Sequence, residues 1–180
     1  MTVQKQDIVA DARADGLQVE IIDTIEAFNA AKPGWIKLQH SDPESTVFLT
    51  WEWMAEAFRK NPMRWNVIAV RAPDQPDSFV CLLPLKYRVH WSRSRAEFQS
   101  ELEAGGRLLW SEYTGFLCDP NFEEQALTAT AQKLAQMPWS KLSMRYVAQS
   151  RRAKLFTQVF EDAGFAVSWQ EYLINKKQTN

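Results

Sequence analysis

Long hydrophobic runs are missing from this chain. No stretch approaches the roughly 18 apolar residues of a membrane span, and residues 1–16 lack the apolar centre of a secretory signal. A charge excess is missing too. The 21 basic side chains are set against 22 acidic ones, for a formal net charge of −1, so no global field draws the chain to nucleic acid or anionic lipid. Histidine (His40, His90) and cysteine (Cys81, Cys118) are scarce, and their spacing builds no zinc site, which argues against a metal hydrolase. Both cysteines lie in apolar runs and read as buried thiols of a reducing compartment. There is no GxSxG elbow, no Walker A loop and no GxGxxG turn. What remains is the expectation of a cytoplasmic globular protein that neither enters a membrane nor binds nucleic acid.

Its 180 residues, 46% apolar and 24% charged, suffice for one domain with a substantial core. Most of the eight tryptophans are expected to fill that core. Residues 1–16 read as a polar segment, frayed or weakly helical, 17–175 as a single domain and 176–180 as a polar tail. Alternation predicts a strand over 17–22. Asp23 or Thr24 then caps a helix that Pro33-Gly34 interrupts. Thr50 caps a helix over 51–60, with Trp51, Met54, Ala55 and Phe58 on one face.

Residues 65–71 and 78–91 read as an antiparallel hairpin across the turn at 72–77. The charged stretch 92–103 reads as a loop or short helix, and 107–117 as a strand. A helix over 122–137, capped by Asp119 or Asn121, carries the stripe Ala126, Leu127, Thr130, Ala131 and Leu134. A strand at 140–147 precedes a helix over 151–163, which Ser150 caps and Gly164 ends. Strands at 165–169 and 171–174 complete the sheet. The order predicts an α/β fold: a mixed, mostly antiparallel sheet flanked by helices on both faces.

Four segments carry a family resemblance. Phe48 and Trp53 stand at the head of a helix, and a hairpin ends on Leu83-Pro84-Leu85. Trp110-Ser111-Glu112-Tyr113-Thr114-Gly115-Phe116 follows, and then Pro138-Trp139-Ser140-Lys141-Leu142-Ser143-Met144. Together they resemble the GNAT acetyltransferase superfamily, and within it the N-terminal half of the CelD or BioF-like proteins associated with cellulose and exopolysaccharide synthesis. The resemblance implies acyl transfer from acyl-CoA to an amine or hydroxyl. It also implies a tandem of two halves, of which this chain matches one. The expected partner is therefore a second GNAT-like half or a second copy, and the expected ligand a glycan or nucleotide sugar.

In such a fold the pyrophosphate of acetyl-CoA sits at the start of the helix after the fourth strand, where glycines and free N–H groups receive it. Here the matching junction, 118–125, has no glycine, Arg or Lys. Pro120 removes a donor, and Asp119, Glu123 and Glu124 bring negative charge. Acids at a helix start also complement its dipole. The expectation is that this segment binds no cofactor, and that acetyl-CoA or acyl-CoA belongs to the complete system.

The resemblance offers Glu112 as a base for the attacking group and Tyr113 as a donor to the leaving thiolate. Adjacent strand residues face opposite ways, so only a bulge lets both reach one pocket. Lys86 and Arg88 alternate with Tyr87 and Val89, and with His90, Arg93 and Arg95 they form a basic strip for an anionic glycan or nucleotide-sugar phosphate, or else an ordinary solvated face. Arg145 belongs to the turn where substrates of this fold thread. Trp53 offers a ring for a sugar to stack on, or a core side chain. A non-enzymatic interaction module of an envelope-polysaccharide assembly is the competing class.

Overall fold

The two richest apolar runs make the spine of the fold. In a computed structural model, which describes residues 2–4, 16–75, 77–109 and 111–169, β3 (Trp65–Arg71) and β4 (Phe79–Ser92) pair antiparallel from Trp65↔Lys86 to Arg71↔Phe79. β3 is buried on both faces, and its alternate residues feed two cores. Val67 and Ala69 pack with Phe28, Trp35, Leu38, Met54 and Phe58. Ile68 and Val70 pack with Leu127, Leu134, Phe156 and Phe160.

The first core lies under α1 (Ile25–Ala30), α2 (Lys32–Ser41) and α3 (Trp51–Lys60). Thr24 Oγ1 accepts from Ala27 N at 3.2 Å, and Pro33 falls in the first turn of α2, so two helices replace one kinked helix. Thr50 caps α3 as predicted, accepting from Trp53 N. The second core lies under α4 (Glu123–Gln136) and α5 (Ser150–Asp162), with the predicted α4 stripe buried throughout. Gly164, at φ +79°, ends α5 with Phe165 N donating to Phe160 O. Trp35, Trp65 and Trp139 are core residues, whereas Trp91 and Trp169 are exposed.

The remaining strands are β1 (Thr2–Gln4), β2 (Gln18–Ile22), β5 (Glu97–Ala104), β6 (Leu117–Cys118), β7 (Lys141–Ser143) and β8 (Ala166–Ser168). The sheet runs β2-β3-β4-β5-β7-β1-β8, with β6 beside β4. β5 and β7 pair parallel, and the other strand pairings are antiparallel. The expected mixed, mostly antiparallel sheet with helices on both faces is the observed one.

Several local expectations need correction. Residues 2–4 are not frayed: they pair with β7 on one side and β8 on the other. The stretch 92–103 is largely strand, because Leu102 and Ala104 reach the second core while Glu101 and Glu103 meet Arg88 and Lys86 across β4. The strand predicted over 107–117 is mostly looped out, leaving only β6. The one predicted over 140–147 shrinks to β7 and an isolated parallel bridge, Thr114↔Val147. No side chain caps α4 or α5: Asp119 Oδ1 accepts from Asn121 instead, and Ser150 is the first residue of α5. Trp110 and the strand predicted at 171–174 lie outside the described residues.

Candidate functional site

The loop-out lies on one edge of β4. Leu85 faces Ala104 and Leu82 faces Leu117, so three steps along β4 match thirteen on the returning chain. Pro84, with no N–H to offer, stands at this break. A Cβ at Gly105 would come within 2.8 Å of the Pro84 carbonyl carbon, so only glycine lets the chain turn away so close to β4. The excursion runs through a 3-10 turn, Gly105–Leu109. Trp53 Nε1 anchors it by donating to Ser111 Oγ at 3.0 Å, and Thr114 Oγ1 by donating to Arg145 O at 2.6 Å.

Beyond the Thr114↔Val147 bridge the two main chains diverge, and the side chain of Gln149 fills the opening. Phe116 N donates to Gln149 Oε1 at 2.8 Å, and Gln149 Nε2 donates to Phe116 O at 2.8 Å and to Glu44 O at 3.3 Å. Gln149 thus supplies the hydrogen bonds a neighbouring strand would have made. Gly115 makes room for it: φ is +146°, and a Cβ there would land on Gln149 Oε1.

Below this amide lies a buried ion network. Arg152, 1% exposed, forks onto Asp42 with Nη1–Oδ2 and Nη2–Oδ1 both 2.8 Å, and its Nε donates to Glu123 Oε2 at 2.9 Å. Arg151 pairs with the other Glu123 oxygen. Asp42 also accepts from Cys118 N at 2.8 Å and Glu44 N at 2.9 Å. Burial works against the Arg152 charge, yet its bonds to Asp42, reinforced by Glu123, hold its pKa above the usual guanidinium value. Burial also pushes the Cys118 thiol well up, helped by the Cys81 sulfur 3.1 Å away. The carboxylate at the start of α4 is therefore already neutralised, from within the protein.

Three predicted ligand-binding residues converge on one cleft of about 240 Å³: Lys86, Arg88 and Arg145, joined by Lys141, Ser143, Glu101 and Glu103. They occupy the sheet face that α1–α3 cover elsewhere, on a half that no helix among the described residues covers. Lys86 faces Glu103 and Arg88 faces Glu101 across β4 and β5, and Glu101 in turn faces Lys141 on β7. The ion pairs measure 3.3 Å and 2.6 Å.

Glu112 and Tyr113 sit on the looped-out segment, outside any strand and outside this cleft. Glu112 is exposed, and the Tyr113 ring lies 6.3 Å from that of Phe48. Trp53 is half-buried, edge-on to Phe48, so it braces the loop. Sequence reasoning assigned no site role to Asp42, Arg152 or Gln149. Arg152 had a signal, since it falls in register with Phe156, Val159 and Phe160 on the apolar stripe of α5.

The sequence matches no family model and no curated protein. In structure, 90% of the chain superposes on 99% of an aminoglycoside antibiotic 6'-N-acetyltransferase from Acinetobacter baumannii, at 9% identity and a TM-score of 0.50. An aminoglycoside acetyltransferase from an uncultured soil metagenomic sample, solved with sisomicin, aligns over 89% of the chain at 12% identity and a TM-score of 0.44. The likeness is one of fold: this chain has the architecture of the GNAT acetyltransferases.

Proposed function

We propose that this domain is a GNAT-fold acceptor-binding half that holds no acyl-CoA in the usual place and serves polysaccharide-related acyl transfer beside a partner, either an acyl-CoA-binding second half or a second copy that replaces the tandem. The observation that carries this reading is the pair of hydrogen bonds between Gln149 and Phe116. An extended, amide-bearing cofactor arm entering between diverging strands needs the free N–H and C=O groups of the strand wall, and both groups of Phe116 are taken. The start of α4 adds to this, because a diphosphate there would meet Glu123, already satisfied by Arg151 and Arg152, and Pro120.

In the complete system the acyl group would pass from the thioester sulfur to an acceptor amine or hydroxyl. Glu112 would take the acceptor's proton, and Tyr113 would supply one to the departing thiolate. The loop-out frees both from strand alternation, so both can turn to one side. Titration calorimetry with acetyl-CoA tests the reading: no saturable heat is expected at millimolar ligand. Micromolar binding that Glu124→Arg leaves unweakened contradicts it.

A non-enzymatic interaction module has its own support. Beyond Ser100, which accepts from Ser140, the β4–β5 hairpin projects with Trp91 51% and Phe98 73% exposed. Sedimentation showing a homodimer that Trp91→Ser with Phe98→Ser dissociates would assign this hairpin to an interface, which both readings allow, and monomer alone at high concentration would count against it.

A further inference from the structure

We infer that the cleft on β4, β5 and β7 binds a sugar carrying one carboxylate, a uronic acid unit of an acidic glycan. The inference rests on the acceptor-binding reading and deepens it by naming the ligand class.

The cleft offers two kinds of hydrogen-bonding group in a fixed pattern. Its acids are only half used. Glu101 Oε2 holds Arg88 at 2.6 Å, while Oε1 has His90 Nε2 no nearer than 3.9 Å. Glu103 Oε2 holds Lys86 at 3.3 Å, while Oε1 has Arg107 Nε at 3.7 Å. Two carboxylate oxygens are thus held in place by strand pairing yet keep lone pairs for incoming O–H donors. Inorganic phosphate at neutral pH has one or two O–H groups, all on the anion itself, whereas a sugar ring has several hydroxyls set apart from its carboxylate.

The cations are divided in the complementary way. Lys86 and Arg88 are committed to the acids. Lys141 and Arg145, on β7 and just past its end, have no carboxylate within ion-pair distance among the described residues. They stand as donors for one anionic group beside the hydroxyl acceptors, and Arg145 can grip a carboxylate with two parallel bonds. Strand geometry spaces the Glu101 and Glu103 rows by roughly 7 Å, the scale of one pyranose ring. The volume of about 240 Å³ also suits one ring, being smaller than the roughly 300 Å³ at which drug-sized pockets begin. An amino sugar would satisfy the acids but place its ammonium beside two unpaired cations.

Titration of the full chain by calorimetry with digalacturonate, cellobiose, acetate, inorganic phosphate and glucosamine tests the inference. Digalacturonate is expected to bind saturably and the other four at least about tenfold more weakly. Its affinity is expected to fall severalfold between about 0.05 and 0.5 M salt, because the cleft is open to screening. Arg145→Ala, at an exposed position, is expected to keep the melting temperature and weaken digalacturonate about tenfold. Cellobiose or glucosamine binding as well as digalacturonate overturns the inference. So does phosphate or acetate binding equally well, which would leave only an anion patch, and so does silence from all five. Acetyl-CoA binding with the sugar pattern intact would remove the acceptor-half reading and leave the cleft. Loss of the sugar pattern with acetyl-CoA still silent would remove the cleft alone.

Discussion

Gln149 closes both main-chain hydrogen bonds of Phe116, with its Oε1 accepting and its Nε2 donating at 2.8 Å each. One side chain thus replaces a rung of sheet at the point where the strands at 114 and 147 part company. Gln149→Ala leaves the buried Phe116 N–H unpaired and its C=O with only the 3.3 Å bond from Arg152 Nη1, and is expected to cost about 1–3 kcal/mol in urea denaturation. An unchanged denaturation midpoint would mean that other groups take over Phe116.

Gly115 is tied to the same contact. Gly115→Ala places a methyl on Gln149 Oε1 at a positive φ, and is expected to destabilise by about 1–3 kcal/mol. Combined with Gln149→Ala, the loss should be clearly less than additive, because the second change removes the obstacle that the first collides with. Full additivity would separate the two residues.

Arg152→Met strips the shared partner from Asp42 and Glu123, leaving two carboxylates buried around an apolar chain. A loss of about 3–5 kcal/mol is expected. Arg152→Lys keeps the charge but not the fork onto Asp42, so it should recover only part of that loss. A midpoint for Arg152→Met within error of the parent would contradict the network's role.

The thiols give a pH signature. Burial raises the Cys118 pKa in the folded state, so the folded chain holds its proton where the unfolded chain releases it. The stability associated with this thiol is therefore complete below the ordinary value of 9.0 and declines as pH rises past it. The melting-temperature gap between the parent and Cys118→Ala should narrow from pH 8 to pH 10. A thiol reagent should label neither cysteine in the native protein, since both are fully buried. Rapid native labelling would place the sulfurs elsewhere.

The sequence disclosed the parts of the fold that depend on local pattern. Thr50 before an apolar helical stripe, Pro33 inside a first turn and Gly164 after a last one each fix a boundary by their own chemistry. The paired runs around 65–71 and 78–91 did the same for the hairpin. Where tertiary partners decide, local pattern misled. Residues 97–104 alternate cleanly, but four of the eight are charged or amide side chains with poor strand propensity, and it is Lys86 and Arg88 across the way, with Leu102 and Ala104 in the second core, that make a strand of them. The aromatic run 110–116 has strand composition, yet Gly105 against Pro84 turns its described part, 111–116, out of the sheet. Lys86, Arg88 and Arg145 were legible as candidates because alternation placed the first two on one face. Their convergence with Lys141 needed the parallel pairing of β5 and β7. Gln149, an ordinary loop glutamine, carried no signal in the sequence.

Proton–nitrogen NMR during a coenzyme A titration tests most directly the proposal that Gln149 plugs the place of a cofactor arm. The side-chain amide of Gln149 and the main-chain amide of Phe116 should keep their shifts and slow exchange at millimolar coenzyme A. Saturable movement of both signals, with the Phe116 amide passing from the glutamine to the ligand, would show that the groove opens and would contradict an acceptor half without its own acyl-CoA site.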